Sequence, residues 1–339
     1  MNGRQRIEAA LKGERPDTTP IMLHNFMMAA REAGITMAEY RRSPEAIART
    51  FIQAVETYGY DGVVVDVDTA TVAGALGVPV DLPDDAPASA HRGAIDSLEA
   101  AAGLPAPDIA RDERVQVWLE ATRLLVRHFG SEIYIRGNCD QATFSLAALV
   151  RGIPEFLEEV ADPGREEAFC ILLDYCHRAV LSFITLMSAT GAHMVSNGDS
   201  TGGTDVVSPA IYRRYAQPYE RRIAAHAHEA GLPWLLHICG KTDRILADMA
   251  ATGADALELD YKTDVELARL ALRGRAAFVG NIDPSAVLAM GTPELVAAKT
   301  RQLLAVFKDE PRFILNAGCG IPATTPPENL RAMIRAARG

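Results

Sequence analysis

The chain has no uninterrupted apolar run near the roughly 18 residues that a membrane-spanning helix needs. Runs such as Val63–Val65 and Ala179–Leu181 are far shorter. The opening stretch, MNGRQRIEAALKGERPD, lacks the apolar centre of a secretory signal. Basic residues are not in excess: 34 Lys and Arg stand against 44 Asp and Glu, a formal net charge of −10. No strongly positive face is therefore expected to displace counterions from nucleic acid. Cysteines are few and odd in number, five in all, which is not a disulfide framework. There is no G-x-G-x-x-G after the first strand and no G-x-x-x-x-G-K-[ST], which weakens a doubly wound nucleotide-binding fold. These absences leave a globular, cytoplasmic protein with neither membrane nor nucleic acid as a partner.

What is present is a chain of 339 residues, 48% hydrophobic, enough for one large α/β domain or two smaller ones. Eight short apolar segments, several of them β-branched, read as strands: 20–23, 62–67, 132–136, 192–196, 234–238, 256–260, 276–280 and 313–316. Helical pattern separates most of them. Ser43 followed by Pro44 starts a helix running to Tyr58, and Ser208 followed by Pro209 starts one running to Ala230, stopped by Gly231. Helices over 263–272 and 326–337 follow. Eight strand-then-helix units predict a (β/α)8 TIM barrel, a single domain over 1–339. The Pro-rich stretch at 79–112 reads as a long surface excursion.

Barrel chemistry sits at the C-terminal ends of the strands. The segment LLHICGKT places His237 and Cys239 two apart on one strand face. The next strand closes with Glu258 and Asp260, also two apart, and the last delivers Cys319 between Gly318 and Gly320. His-x-Cys alone reads more readily as strand-end packing. Joined by a Gly-Cys-Gly and an intervening acid, it reads as a tetrahedral Zn²⁺ set of His237, Cys239, Cys319 and Asp260, with Glu258 as the alternative to Asp260. Two thiolates make such an ion a poor activator of water and a good captor of a substrate thiol, whose proton is lost on binding. The catalytic set is thus His237, Cys239 and Cys319.

Other strand ends supply Asp68, Arg136, Asn197, Asp199 and Asn281, read as substrate-binding residues. Arg136 is either a clamp for an anionic group or a partner of Asp68. Lys241, taken to open a helix after HICG, is a candidate for the same anion. Asp205 and Asp283 read as cap or loop residues, and His24 as a satisfied structural histidine. Cys170 and Cys176 lie in an apolar helical stretch and read as small core residues.

Four segments carry a family resemblance: RIEAALKGERPDTTPI, DGVVVDVDTATVAGALGVPV, NGDSTGGTDVVSPAIYRRYAQPY and NAGCGIPATTPPENL. They resemble the uroporphyrinogen decarboxylase superfamily, and HICGK with AGCGI resembles its methylcobamide:coenzyme M methyltransferase branch. The resemblance implies a zinc-dependent methyl transfer from a methylated corrinoid to a thiol. It implies zinc at His237, Cys239 and Cys319, with the intervening acid at Asp260; cobalamin-independent methionine synthases, similar in this order, have Glu there. The chain has no D-x-H-x-x-G corrinoid signature, so the methylcobamide is expected on a separate protein. Decarboxylases of the superfamily carry a catalytic Asp matching Asp68, an arginine-rich clamp and a late Gly-His-Gly. Here Arg31 is followed by Ile35 where a second arginine stands, and the glycines flank Cys319. A decarboxylase using Asp68, and a non-catalytic zinc-holding or corrinoid-docking subunit of a demethylase system, are the alternative readings.

Overall fold

The computed structural model describes residues 1–339. Eight parallel strands follow one another around the sheet in chain order: β1 (Met22–Leu23), β2 (Gly62–Val65), β3 (Tyr134–Gln141), β4 (Met194–Gly198), β5 (Trp234–Ile238), β6 (Ala256–Leu259), β7 (Ala277–Ile282) and β8 (Phe313–Ala317). An isolated parallel bridge between Ile21 and Leu315 joins the last strand to the first. Helices cover the outside, and the architecture is the (β/α)8 barrel that the alternating pattern predicts.

Strand periodicity sorts the residues into two cores. Outward-facing residues such as Val63, Val65, Leu236, Leu257 and Phe278 join a continuous cluster between strands and helices. Inward-facing Met22, Val64, Tyr134, Met194, Leu235, Ala256, Val279 and Ile314 form a separate apolar cluster inside the barrel. Ile7 and Ala10 of the helix Gly3–Lys12 complete that inner cluster from below. The helix can lie so close because Gly62 has no side chain: a Cβ there would stand 2.5 Å from Ile7 Cδ1. The barrel therefore has an apolar floor.

One pleat higher, two residues along each strand, the side chains become His24, Asp66, Arg136, Ser196, His237, Glu258, Asn281 and Asn316. Every strand makes this change two residues after its floor residue. Alternation with period two puts each of these residues on the same inner face as its apolar partner, toward the C-terminal mouth.

Two boundaries depart from the sequence expectation. β3 runs on past Arg136 to Gln141, with its register to β4 shifting between Asn138 and Gln141. Its second half is mostly polar and so falls outside the apolar run that marks the strand in the sequence. The helix from Pro209 is broken into Pro209–Ile211, a π-turn over Tyr212–Ala216 and Gln217–Glu229. Pro218 has no N–H to give the ladder and its ring crowds the preceding turn, which the wider π-turn relieves. The excursion at 79–112 holds a short antiparallel pair, Val80–Asp81 with Ser89–Ala90, and anchors Ile95, Leu98 and Ile109 in the outer core. The stretch Pro163–Ser188 is long and apolar enough to cross a membrane, with a mean hydropathy of 1.5, although no uninterrupted apolar run revealed it. Its charged residues are spread along it, and 56% of its most apolar window is buried against the fold.

His177, on that helix, is buried with Nδ1 3.0 Å from the Thr143 hydroxyl and Nε2 unpartnered. Burial pushes its pKa down from 6.5 to about 4, so the unfolded chain binds the proton first. Its contribution to stability is complete above pH 6.5 and is lost as pH falls toward 4. His177→Gln is expected to flatten the acid side of the stability curve by up to about 3 kcal/mol, read from urea melts at pH 7 and pH 4.5.

Candidate metal centre and polar belt

His237 ends β5 on the inner face and Cys239 follows on the same face, while Cys319 lies just beyond β8. Their ligand atoms all lie within 4.8 Å of one another. His237 Nε2 is 2.9 Å from Cys239 Sγ, and the two sulfurs are 3.5 Å apart. The other ring nitrogen, Nδ1, donates to the Glu258 carbonyl at 3.0 Å, which orients the ring with Nε2 facing the sulfurs. The hydrogen bond from Cys319 lowers the Cys239 thiol well below its ordinary range, and the His237 imidazolium adds to this. Cys319, as the donor, is correspondingly raised. Burial works against charge on His237, but the Cys239 sulfur outweighs it and lifts the imidazole to about 10. One imidazole nitrogen and two sulfurs, one of them readily ionised, are a donor set that suits Zn²⁺.

Neither acid expected as fourth ligand joins this trio. Asp260 Oδ2 accepts from Gly240 N and Oδ1 from Lys262 N, both at 2.9 Å. Its carboxylate pins the turn that follows Cys239. Glu258 is wholly buried: Oε1 accepts from Asn316 Nδ2 at 3.0 Å, and Oε2 meets Arg136 Nη1 at 2.6 Å. Burial pushes the Glu258 carboxyl up, and Arg136 with the two nearby histidines reverses this to well below the ordinary range.

Arg136 is thus no free clamp, and its partner is Glu258 instead of Asp68. From it a belt of polar contacts runs round the inner wall. Arg136 Nε donates to Ser196 Oγ (2.7 Å), Ser196 to Asn138 Oδ1 (3.0 Å), and Asn138 Nδ2 to Asp66 Oδ1 (3.0 Å). Asp66 Oδ2 holds His24 Nε2 at 2.6 Å, and His24 Nδ1 lies 3.8 Å from Glu258, closing the circuit. Burial would depress His24, but the two acids lift it to about 9. Two acids and two bases therefore balance inside the barrel. Ser196 and Asn316 were not singled out as site residues, Asp66 and Asn138 stood only as polar groups at strand ends, and His24 was read as merely structural. Asp66, Ser196, Asn316 and His24 share one signal, the switch to polar two residues above each floor residue.

The remaining expected substrate-binding residues are turned to structural work. Asn197 is saturated: Nδ2 donates to the Cys139 carbonyl (2.7 Å) and Oδ1 accepts from Trp234 Nε1 (3.0 Å). Asn281 Nδ2 holds the Asp260 carbonyl at 3.2 Å. Asp199 is buried at the end of β4, its Oδ1 accepting from Ser145 N. Asp68 Oδ1 takes the Ala70 N–H and the Thr71 hydroxyl, while Oδ2 is buried without a partner. Burial raises its pKa. Lys241 does not open a helix; it pairs with Asp243 at 3.2 Å, and the next helix begins only at Leu246. Asp283 caps the segment after β7. Cys176 is buried and Cys170 half-buried, both as free thiols.

The sequence profile of the uroporphyrinogen decarboxylase (URO-D) family matches residues 2–339. The chain belongs to that family. Among its relatives is the methylcobamide:CoM methyltransferase MtbA of Methanosarcina mazei, 33% identical over 225 residues, 66% of this chain. The match spans 64% of that relative's length. The methylcobamide:CoM methyltransferase MtaA of Methanosarcina barkeri is 26% identical over 337 residues, 98% of this chain and 96% of its own. A solved methyltransferase from Methanosarcina mazei superposes with a TM-score of 0.90 at 23% identity, covering 100% of this chain and 98% of that one. At that identity the superposition speaks for the fold.

Arg136→Met strands the buried Glu258 carboxylate and is expected to cost about 3–5 kcal/mol. The double variant Arg136→Met/Glu258→Gln is expected to recover most of the loss in chemical unfolding. Equal melts for wild type and Arg136→Met would show that the belt carries no such energy.

Proposed function

We propose that the chain is a zinc-dependent methyltransferase. It moves a methyl group from a methylated corrinoid, carried on a separate protein, to a small thiol. The observation that carries this reading is the convergence of His237, Cys239 and Cys319 at the mouth of the barrel. The methylcobamide:CoM methyltransferases among the relatives support the donor and the acceptor class.

A soft divalent ion held by these three residues supplies thiol activation, making a nucleophilic sulfur available at neutral pH. The chain's residues do the rest. His237, Cys239 and Cys319 would hold the ion and leave room beside it for the substrate sulfur, and Asp260 and Glu258, both engaged elsewhere, do not compete for it. His237 is held in register by the Glu258 carbonyl. The balanced belt beneath the ligands adds no net charge to repel an incoming thiolate. The apolar floor closes the barrel from below, so donor and acceptor both enter from the C-terminal mouth.

Cys239→Ala and Cys319→Ala are each expected to lose zinc and methyl transfer together, with the fold retained by circular dichroism. Metal analysis and thioether formation from methylcobalamin with a panel of small thiols, coenzyme M among them, measure the two losses. Full activity in both variants would overturn the reading.

Asp68, with its buried unpartnered oxygen, is what favours the decarboxylase alternative. Stepwise loss of carboxylates from uroporphyrinogen, abolished by Asp68→Asn, would decide for it.

A further inference from the structure

Two glycines flank Cys319, and they are there for different reasons. At Gly318 packing demands one: a Cβ would stand 2.6 Å from Tyr261 N and 3.1 Å from the Asp260 carbonyl carbon. At Gly320 neither packing nor backbone does. Its φ is not positive, so its backbone suits any residue. A Cβ placed there would lie 3.5 Å from Met27 Cε, 3.8 Å from His24 Cε1 and 4.0 Å from His24 Nε2, all ordinary contact distances for carbon. Position 320 therefore borders a slot one carbon wide that this chain leaves open.

The walls of the slot are held in place. Ile321 N donates to the His24 carbonyl at 2.8 Å, which lays the loop after Cys319 over that residue. The His24 ring is gripped by Asp66 at 2.6 Å and stacked on Phe26 with centroids 5.7 Å apart, so one wall is rigid. The other is the Met27 thioether, an unbranched chain that can adjust. His24, Met27, Cys319 and Gly320 are all half-buried, whereas Asn25, Phe26, Gly318 and Ile321 around them are buried. The slot thus opens to the mouth, one residue from a candidate metal ligand. Met27 also lines a cavity of about 340 Å³, together with Ile35, Met37 and Ala323.

We propose that this slot seats the carbon chain of the acceptor thiol, so that Gly320 and Met27 select acceptors that are unbranched beside their sulfur. A chain lying between Met27 and the imidazole has room for a methylene. It has none for a second carbon on the same atom, because the next heavy atoms already stand at contact distance. An unbranched chain can run on along Met27 toward the neighbouring cavity. A carbon that fits gains contacts on both sides, and a branched one must push Met27 aside, which a packed wall resists. This assignment rests on the thiol-acceptor reading given under Proposed function.

The test loads wild type, Gly320→Ala and Met27→Ala with Co²⁺, a spectroscopic stand-in for Zn²⁺, and titrates n-propanethiol and isopropanethiol into each. The two isomers share their atoms and differ only in branching. Binding is read from the added sulfur-to-cobalt charge-transfer band, without turnover, and circular dichroism checks the fold. The wild type is expected to bind the straight isomer about tenfold more tightly than the branched one. Gly320→Ala, whose methyl fills the slot, is expected to lose about tenfold for the straight isomer. Its cobalt spectrum before thiol is added stays that of wild type. Met27→Ala, which widens the slot, is expected to gain about tenfold for the branched isomer. Equal wild-type affinities for the two isomers overturn the inference, as does a Gly320→Ala chain that binds the straight isomer as tightly as wild type. If Gly320→Ala does not fold, Met27→Ala decides, and no gain for the branched isomer overturns the inference. A wild-type chain that takes up no cobalt, or takes it up and shows no new band with either thiol, instead defeats the reading under Proposed function.

Discussion

Charge inside a closed barrel has nowhere to go. Above the floor of Met22, Val64, Leu235 and their neighbours, each ionised group must find its counter-charge on the opposing wall, because desolvation of an isolated ion costs several kcal/mol. Arg136 and Glu258 meet this demand across the interior, and Asp66 with His24 meets it alongside. The neutral links, Ser196, Asn138 and Asn316, saturate the remaining donors and acceptors. Because Glu258 also lends its backbone carbonyl to His237, the strand that anchors the belt also orients the His237 imidazole toward the two cysteines.

The centre itself is suspended between loops. On one side Ser200 and Gly203 approach the Cys239 backbone; on the other, Asp260 holds the Gly240 amide and Thr263 faces the Thr242 hydroxyl. Cys319 arrives from the far end of the chain, brought round because β8 closes onto β1. A soft ion needs donors on several sides, and a barrel mouth, where eight loops converge, provides them without a dedicated ligand-bearing motif. The division of labour follows from strand direction. The N-terminal half of each strand builds stability and the C-terminal ends build the site.

Family membership and the site are separate matters. The decarboxylase family supplies the barrel, and relatives within it carry different chemistry. In this chain Gly318 and Gly320 flank a cysteine, and the belt beneath it contains a single arginine, already neutralised by Glu258. An interior so balanced suits a small sulfur nucleophile and offers little to a ligand bearing many carboxylates.

Much of this was legible before any coordinates. All eight strands were readable, β5 to its end residues, because fully buried parallel strands are short apolar runs. The convergence of His237, Cys239 and Cys319 was readable in part because a strand of period two puts His237 and Cys239 on one face. Asp199, Asn197, Asn281 and Asp260 share the same strand-end position and look alike in one dimension, yet all serve the scaffold. Arg136 read either as a clamp for a ligand or as a partner of Asp68, and the π-turn before Pro218 looked like plain helix.

By itself, then, the order of residues determined the periodicity, and with it the barrel, its apolar floor and the level at which the lining turns polar. Only the folded chain decided which polar groups face each other: Glu258 with Arg136, Glu220 with the Tyr212 hydroxyl, Asp260 with the Gly240 amide. The physical reason is that hydrophobic alternation is written locally, one strand at a time. A partner for a buried charge is chosen across the barrel, by whichever group the closure of the sheet brings within about 3 Å.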